Sequence, residues 1–299
     1  MKLSSVVAAA LIVFLSSAAY ARTWRVNQDG TGDAPTIQAA IDSSVAMDTI
    51  LVAPGTYVQQ FISLAKSNLT LLSEGGADET FLHTTGYWIL GTGGDHYIIG
   101  GFTFEGSSGT GLIISMCHDI TIEDNVFRNN AGSAINADFM SGNIKIRNNL
   151  IYANGNGIGL YDASGSAEIS YNTISHNTSD GLGTDGPCSN LLHHNIISYN
   201  KVGFSGFCPA QFQCNDIFGN DSNWMPPPTG TNGNIAVDPQ FCGVDPKVSG
   251  NYLLQSDSPC APGNHPDAYP CGLIGASPVG CQEVSVEKSS WGAIKAIYK

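Results

Sequence analysis

Basic residues are scarce in this chain of 299 residues: 12 lysines and arginines stand against 25 aspartates and glutamates, for a formal charge of −13. A surface that acidic repels phosphate backbones and anionic lipid, so no nucleic-acid partner is expected. Long apolar runs are missing too. The one from Val6 to Leu15 is too short to cross a bilayer, so no membrane span is expected. There is no Cys-x-x-Cys, which removes the usual zinc spacing. Between residues 117 and 220 the apolar residues lack helical spacing, and no Leu-x-x-Leu-x-Leu frame occurs, which excludes helical and leucine-rich repeats.

What is present is a repeat. Asn125, Asn149, Asn172, Asn195 and Asn215 fall in one column at spacings of 24, 23, 23 and 20 residues. A second asparagine follows each by five residues, at Asn130, Asn154, Asn177, Asn200 and Asn220. A period in the low twenties marks a stacked architecture. Inside it the apolar residues alternate, as in Ile144/Ile146 and Ile158/Leu160, which is the two-residue period of strands. The implied fold is all-β: a right-handed parallel β-helix solenoid whose coils stack about 4.8 Å apart. The asparagines then form a structural ladder. Asn tolerates the left-handed bend at a coil corner, and stacked amides donate and accept along the column.

Lys2, the apolar run and Ala19-Tyr20-Ala21 read as a signal peptide over residues 1–21, so the mature chain is expected to be secreted or held at the cell surface. Residues 22–222 read as the β-helix with an N-terminal cap, 223–281 as a C-terminal cap region and 282–299 as a tail. The stretch from Pro35 to Asp42 forms a short amphipathic helix with Ile37, Ala40 and Ile41 on one face. A buried strand and turn follow from Asp48 to Tyr57, then a strand from Leu69 to Ser73. On these residues the chain resembles the N-terminal entry of pectin-lyase-like β-helix proteins, and the resemblance covers nearly the whole mature chain. It implies a helix closing the open end of the solenoid, and segments from Asn234 to Ala276 resemble the family's closing region. For activity it implies little, because the family includes lyases, hydrolases, esterases, epimerases, adhesins and chains without known activity.

Eight cysteines in an exported chain favour disulfides. Cys188 and Cys208 each lie seven residues before a ladder asparagine, so they are expected to bridge neighbouring coils. Cys242, Cys260, Cys271 and Cys281 are expected to staple the cap with two bridges, Cys260 to Cys271 being the local pair. Cys117 and Cys214 sit too many coils apart to bond to one another; either they are buried thiols or the pairing differs.

Candidate site residues come from counting along each coil. Three residues beyond the inward apolar residue of the last strand stand Ser115, Asp138, Tyr161, Asp185 and Ser205, with Asp162 next to Tyr161. Asp138, Asp162 and Asp185 would then run along one side on successive coils, roughly 5 Å apart. Stacked carboxylates call for a cation, a shifted pKa or solvent, so Ca²⁺ is the candidate metal. Turn aspartates capping the backbone explain the same column without a ligand. Pectate lyases of the resembled family add a basic residue to their calcium carboxylates. Here Lys145, Arg147 and Arg128 fall off the Asp strand, leaving Lys201 as the candidate base. His194 with Tyr171, and His176 with Tyr199, share columns that imply aromatic stacking. By strand alternation His193 and His194 point to opposite faces, which excludes a joint metal site. The expected function is binding of extracellular polysaccharide by a monomer, along Asp138, Tyr161, Asp162 and Asp185, with no bond-making chemistry. A calcium-dependent polysaccharide lyase and a purely structural or adhesive protein are the alternatives.

Overall fold

The computed structural model describes residues 21–281 apart from 65, 91–93, 139–140, 162–164, 186–188, 207–209, 224–228 and 244. Residues 1–20 of the leader, Asp162, the Cys188 and Cys208 pair, most of the proline loop near Pro226 and the tail from 282 therefore lie outside the described residues.

From Thr23 to Phe218 the chain winds as parallel strands in two hydrogen-bonded sheets, one of nine strands and one of thirteen. A regular coil has three strands, such as His118–Glu123, Val126–Arg128 and Ser133–Asp138, separated by two corners. Each strand pairs with its equivalent one coil away, so like residues stack. Phe104, Phe127, Ile151, Ile174, Ile197 and Ile217 form one buried column, and each such side chain contributes about 1.5–3 kcal/mol by leaving water. Leu112, Ile135, Ile158, Leu182 and Phe204 form another. Phe204 holds the place that counting assigned to Val202. Val202 pairs with Asp180 at the start of the strand, where the chain is still leaving the corner.

The ladders occupy the corners. Asn125 Nδ2 donates to Asn149 Oδ1 at 3.2 Å, and the same bond recurs from Asn149 to Asn172, Asn172 to Asn195 and Asn195 to Asn215 at 3.0–3.1 Å. Each acceptor oxygen also receives the main-chain N–H of the preceding rung. A parallel ladder links Asn130, Asn154, Asn177, Asn200 and Asn220. The first ladder continues one rung into the expected cap region, where Asn234 accepts from Asn215.

The bend itself falls elsewhere than expected. The left-handed residue is the one before each ladder asparagine, namely Asp124, Asn148, Tyr171, His194 and Cys214 at the first corner, with φ of 52–58°. The asparagine keeps an ordinary φ because its amide must turn into the coil to meet the next rung. Its neighbour takes the strain, roughly 1–2 kcal/mol, and points outward.

A helix over Ile37–Ser43, capped by Thr36 accepting from Ala39 N, buries Ile37, Ala40 and Ile41 against Val26 and Ile50 at the first coil. The C-terminal region does more than close the far end. Phe241, Tyr252, Leu254 and Ile274 pack with Tyr152 and Ile196 on the outer side of the coils. Ala276 N donates to Thr173 Oγ1, and Gly275 N to the His194 carbonyl.

That doubling back decides the cysteines. Cys214 bridges Cys271 and Cys242 bridges Cys281. The expected Cys260–Cys271 bond is therefore corrected: Cys271 is carried over the last coil to Cys214. Cys260 instead packs against the outer side of that coil, where its thiol donates to Asp216 Oδ2 at 3.3 Å. Cys117 is a buried thiol donating to the Ser115 carbonyl at 3.0 Å.

Candidate functional site

Alternation along the last strand of each coil sends every second residue outward. On that outer face Ile113, Asn136, Gly159, Gly183 and Ser205 form one register column. The two glycines matter for their missing side chains. A Cβ on Gly159 would lie 2.5 Å from Tyr161 Cε2, and one on Gly183 would lie 2.7 Å from the Tyr161 hydroxyl. The Tyr161 ring therefore lies back across the sheet over the space these glycines clear. Polar groups rim it. Asn136 Nδ2 donates to Asp138 Oδ2 at 3.2 Å, and the Ser205 hydroxyl donates to Asp180 Oδ2. Burial, with the Asp180 and Asp185 carboxylates adding to it, pushes the Tyr161 phenol up, so the hydroxyl stays protonated at neutral pH.

The register settles which expected residues meet. Asp138 pairs with Ser115, and the pairings of Ala137 with Leu160 and of Leu160 with Thr184 put Tyr161 on the coil between Asp138 and Asp185. Asp138 and Asp185 are thus two coils apart, roughly 10 Å, with an aromatic ring between them. Calcium takes 6–8 oxygen ligands close about one point. Among the described residues no three His, Cys, Asp or Glu side chains converge. The described residues give the expected calcium column no support, and Asp162, its middle member, lies outside them.

The register sets Lys201 apart from Asp185. Val202 pairs with Asp180, so Lys201 stands opposite Ser179, six residues along the strand from Asp185. That is roughly 20 Å at 3.3 Å per residue, and the lysine is exposed at the far corner. Ser205 pairs with Gly183 and enters the rim through Asp180. Arg128 and Arg147 are held by Glu105 and Glu123 in ion pairs of 2.6 Å.

The histidines differ most from strand logic. Tyr171 stacks on His194 with ring centroids 4.6 Å apart, and His176 lies against Tyr199 at 5.0 Å. His193 and His194, expected on opposite faces, instead bring their Nδ1 atoms to 3.0 Å. The cause is the left-handed corner: His193 ends a strand, His194 has φ of 58°, and alternation stops between them. His193 Nε2 meets Glu168 Oε1 at 3.2 Å. Burial, then the neighbouring His193, hold His194 below the usual imidazole range, while a hydrogen bond from its ring to the Cys271 main chain works the other way.

Asp180 and the glycines were missed by counting carboxylates. Their signal stands in the chain as Asn156-Gly157-Ile158-Gly159-Leu160 and Asp180-Gly181-Leu182-Gly183-Thr184, where glycine alternates with inward apolar residues.

The model of the family described as periplasmic copper-binding protein (NosD) matches residues 42–231. No curated protein matches the sequence. Among solved structures, the pectate lyase Pel9A aligns at a TM-score of 0.61 and 15% identity, covering 87% of this chain and 96% of that one. An alginate lyase from Paenibacillus sp. str. FPU-7 aligns at a TM-score of 0.44 and 13% identity, covering 72% and 98%. The Pel9A likeness agrees with the pectin-lyase-like fold.

Proposed function

The chain belongs to the family described as periplasmic copper-binding protein (NosD), and on that premise we propose that it is an exported β-helix protein whose Tyr161 face binds a neutral polysaccharide without cleaving it. Export is supported by the Cys214–Cys271 and Cys242–Cys281 bridges, which persist in oxidising compartments. The observation that carries the glycan reading is the Tyr161 ring laid over Gly159 and Gly183. A ring lying along a sheet offers an apolar face to the CH groups of a sugar, and Asp138, Asp180 and Asn136 beside it accept and donate to hydroxyls. The carboxylates also choose the substrate class, because they repel polyuronates and accept from neutral sugars. A coil repeat of about 4.8 Å makes the face long enough for several sugar units. Catalysis of the lyase kind would need a base beside the carboxylates, and Lys201 stands at the other end of its strand.

Affinity electrophoresis of the full chain through gels containing neutral glucans, mannans or xylans, with polygalacturonate and alginate as controls, tests this. Retardation by at least one neutral polysaccharide is expected, with no rise in absorbance at 235 nm. Tyr161→Ala should weaken retention roughly fivefold, since an aromatic contact contributes about 1 kcal/mol. Retention only by the polyuronates, or retention that Tyr161→Ala leaves intact, overturns the reading.

A further inference from the structure

We infer that the cleft between the second corner of the coils and the C-terminal region binds a small organic cation, a primary ammonium group on a short stem. The cleft has a volume of about 410 Å³. It is lined by His176 and Tyr199 from the coils and by Asp238, Gln240, Phe241 and Asp245 from the region folded over them. It shares no residue with the Tyr161 face and does not rest on the glycan reading.

The coils supply an aromatic wall. His176 and Tyr199 are the left-handed residues of the second corner on neighbouring coils, with φ of 55° and 56°, so both rings are turned outward. Their centroids stand 5.0 Å apart. One coil on, the corner residue is Gly219. A Cβ there would lie 2.8 Å from Tyr199 Cε1, so the ring leans into space that only glycine leaves. His176 is held from behind, where its Nδ1 meets the Ser175 hydroxyl at 2.8 Å and the Tyr252 hydroxyl at 3.2 Å. Burial keeps that imidazole below its usual range, with Asp245 opposing and Lys247 assisting, so the wall is uncharged at neutral pH.

The opposite wall supplies acceptors. Asp238 Oδ1 is used twice, by the Tyr199 hydroxyl at 3.0 Å and by Gln240 N at 2.9 Å, which ties the C-terminal region to the coil and leaves Oδ2 for a ligand. Asp245 stands at the cap position of the helix Pro246–Ser249 without accepting from it, so its carboxylate is left to the cleft and solvent. Gln240, at φ of 52°, keeps its side-chain oxygen buried without a donor. Such an acceptor is destabilising, and turning the amide toward the cleft lets an entering N–H satisfy it.

These features choose the ligand. Two carboxylates, an unpartnered amide oxygen and aromatic rings all favour a donor carrying positive charge. An ammonium gains from each, through charge-assisted hydrogen bonds to the oxygens and attraction to the rings. No described lysine or arginine lines the cleft, and Lys247 is exposed on the short helix. An anion would meet repulsion from both carboxylates. The volume falls in the range of small-molecule sites and exceeds a bare ammonium ion. Room therefore remains for a stem, to which Phe241 offers apolar surface. An aliphatic diamine and an amino sugar both carry this group, and the test separates them.

The test is calorimetric titration of the full chain at low salt with cadaverine and, separately, glucosamine, with 1-pentanol and N-acetylglucosamine as uncharged counterparts. One saturable site for at least one of the two amines is expected, weakening as salt is raised, and none for the uncharged pair. Tighter binding of cadaverine identifies an aliphatic stem, and of glucosamine a sugar. Asp245→Asn, which removes charge and breaks no capping bond, should weaken amine binding roughly two- to fivefold. Asp267→Asn, at an exposed carboxylate elsewhere in the C-terminal region, should leave it unchanged. Wild-type protein supplies a readout that needs no variant: the ring resonances of His176 and Tyr199 should shift with the amine before those of His194 and Tyr171. No saturable site for either amine, equal binding of the uncharged counterparts, intact affinity in Asp245→Asn, an equal loss in Asp267→Asn, or shifts that begin at other rings overturns the cleft as a cation site.

Discussion

Replacing Asn172 by leucine removes five hydrogen bonds from the middle of the ladder. Its Nδ2 donates to the Ile146 carbonyl, the Ser170 carbonyl and Asn195 Oδ1, and its Oδ1 accepts from both the main-chain N–H and the Nδ2 of Asn149. Leucine fills the volume and answers none of them. The buried Asn149 main-chain N–H is left without its acceptor, a cost of about 1–3 kcal/mol, and two buried carbonyls each lose a donor for roughly 1 kcal/mol more. The expected loss is therefore about 3–5 kcal/mol. Asn125→Leu at the first rung is the internal comparison. It removes three bonds, to the Ile99 carbonyl, Asn149 Oδ1 and Phe102 N, for an expected loss of about 2–3 kcal/mol. Urea unfolding of the full chain, followed by far-ultraviolet circular dichroism, gives both midpoints, and amide exchange at Asn149 reports the orphaned N–H directly. A midpoint for Asn172→Leu within about 1 kcal/mol of wild type, or no lower than that of Asn125→Leu, would refute the ladder as a stabilising device.

Asp216, in the last strand of the coils and buried under the C-terminal region, has its carboxyl pushed up to about 7 by burial, against bonds from Val237 N and the Cys260 thiol. The unfolded chain releases this proton near pH 4 and the folded chain near 7, so stability is fully present below about pH 4 and falls as pH rises through that window, by up to roughly 4 kcal/mol. Urea midpoints at pH 5 and pH 8 should differ in wild type and much less in Asp216→Asn. The Cys214–Cys271 bridge closes a separation of 57 residues between the last coil and the overlying cap; the double serine variant should lose about 2–5 kcal/mol, with limited proteolysis cutting the cap before the coils. Gly183→Ala places a methyl 2.7 Å from the Tyr161 hydroxyl and displaces the ring. Glycan retention in the same gels should fall toward that of Tyr161→Ala.

Much of the architecture was legible in the order of residues because a solenoid repeats its environment. Asn125, Asn149 and Asn172 recur because each coil meets the next at the same place, and Ile144 and Ile146 alternate because each strand has one face inside. The capping helix was legible for the same reason: Ile37, Ala40 and Ile41 share a face, and that face is buried. The column Ser115, Asp138, Tyr161, Asp185 was also countable along the coils.

Tertiary structure decided what a one-residue change of register or one inverted φ can undo. The register places Tyr161 on the coil between Asp138 and Asp185, and its ring lies back over Gly159 and Gly183, which the spacing of carboxylates did not announce. His193 and His194 meet because the corner places a left-handed residue where alternation would have kept them apart. Cys271 reaches Cys214 because the cap folds back over the outside of the coils. By itself the sequence determined the period, the inward faces and the ladder, since these depend on nearest-neighbour stacking that every coil repeats. The site, the disulfides and the buried Asp216 depend on segments brought together once, across distances in the chain that no period encodes.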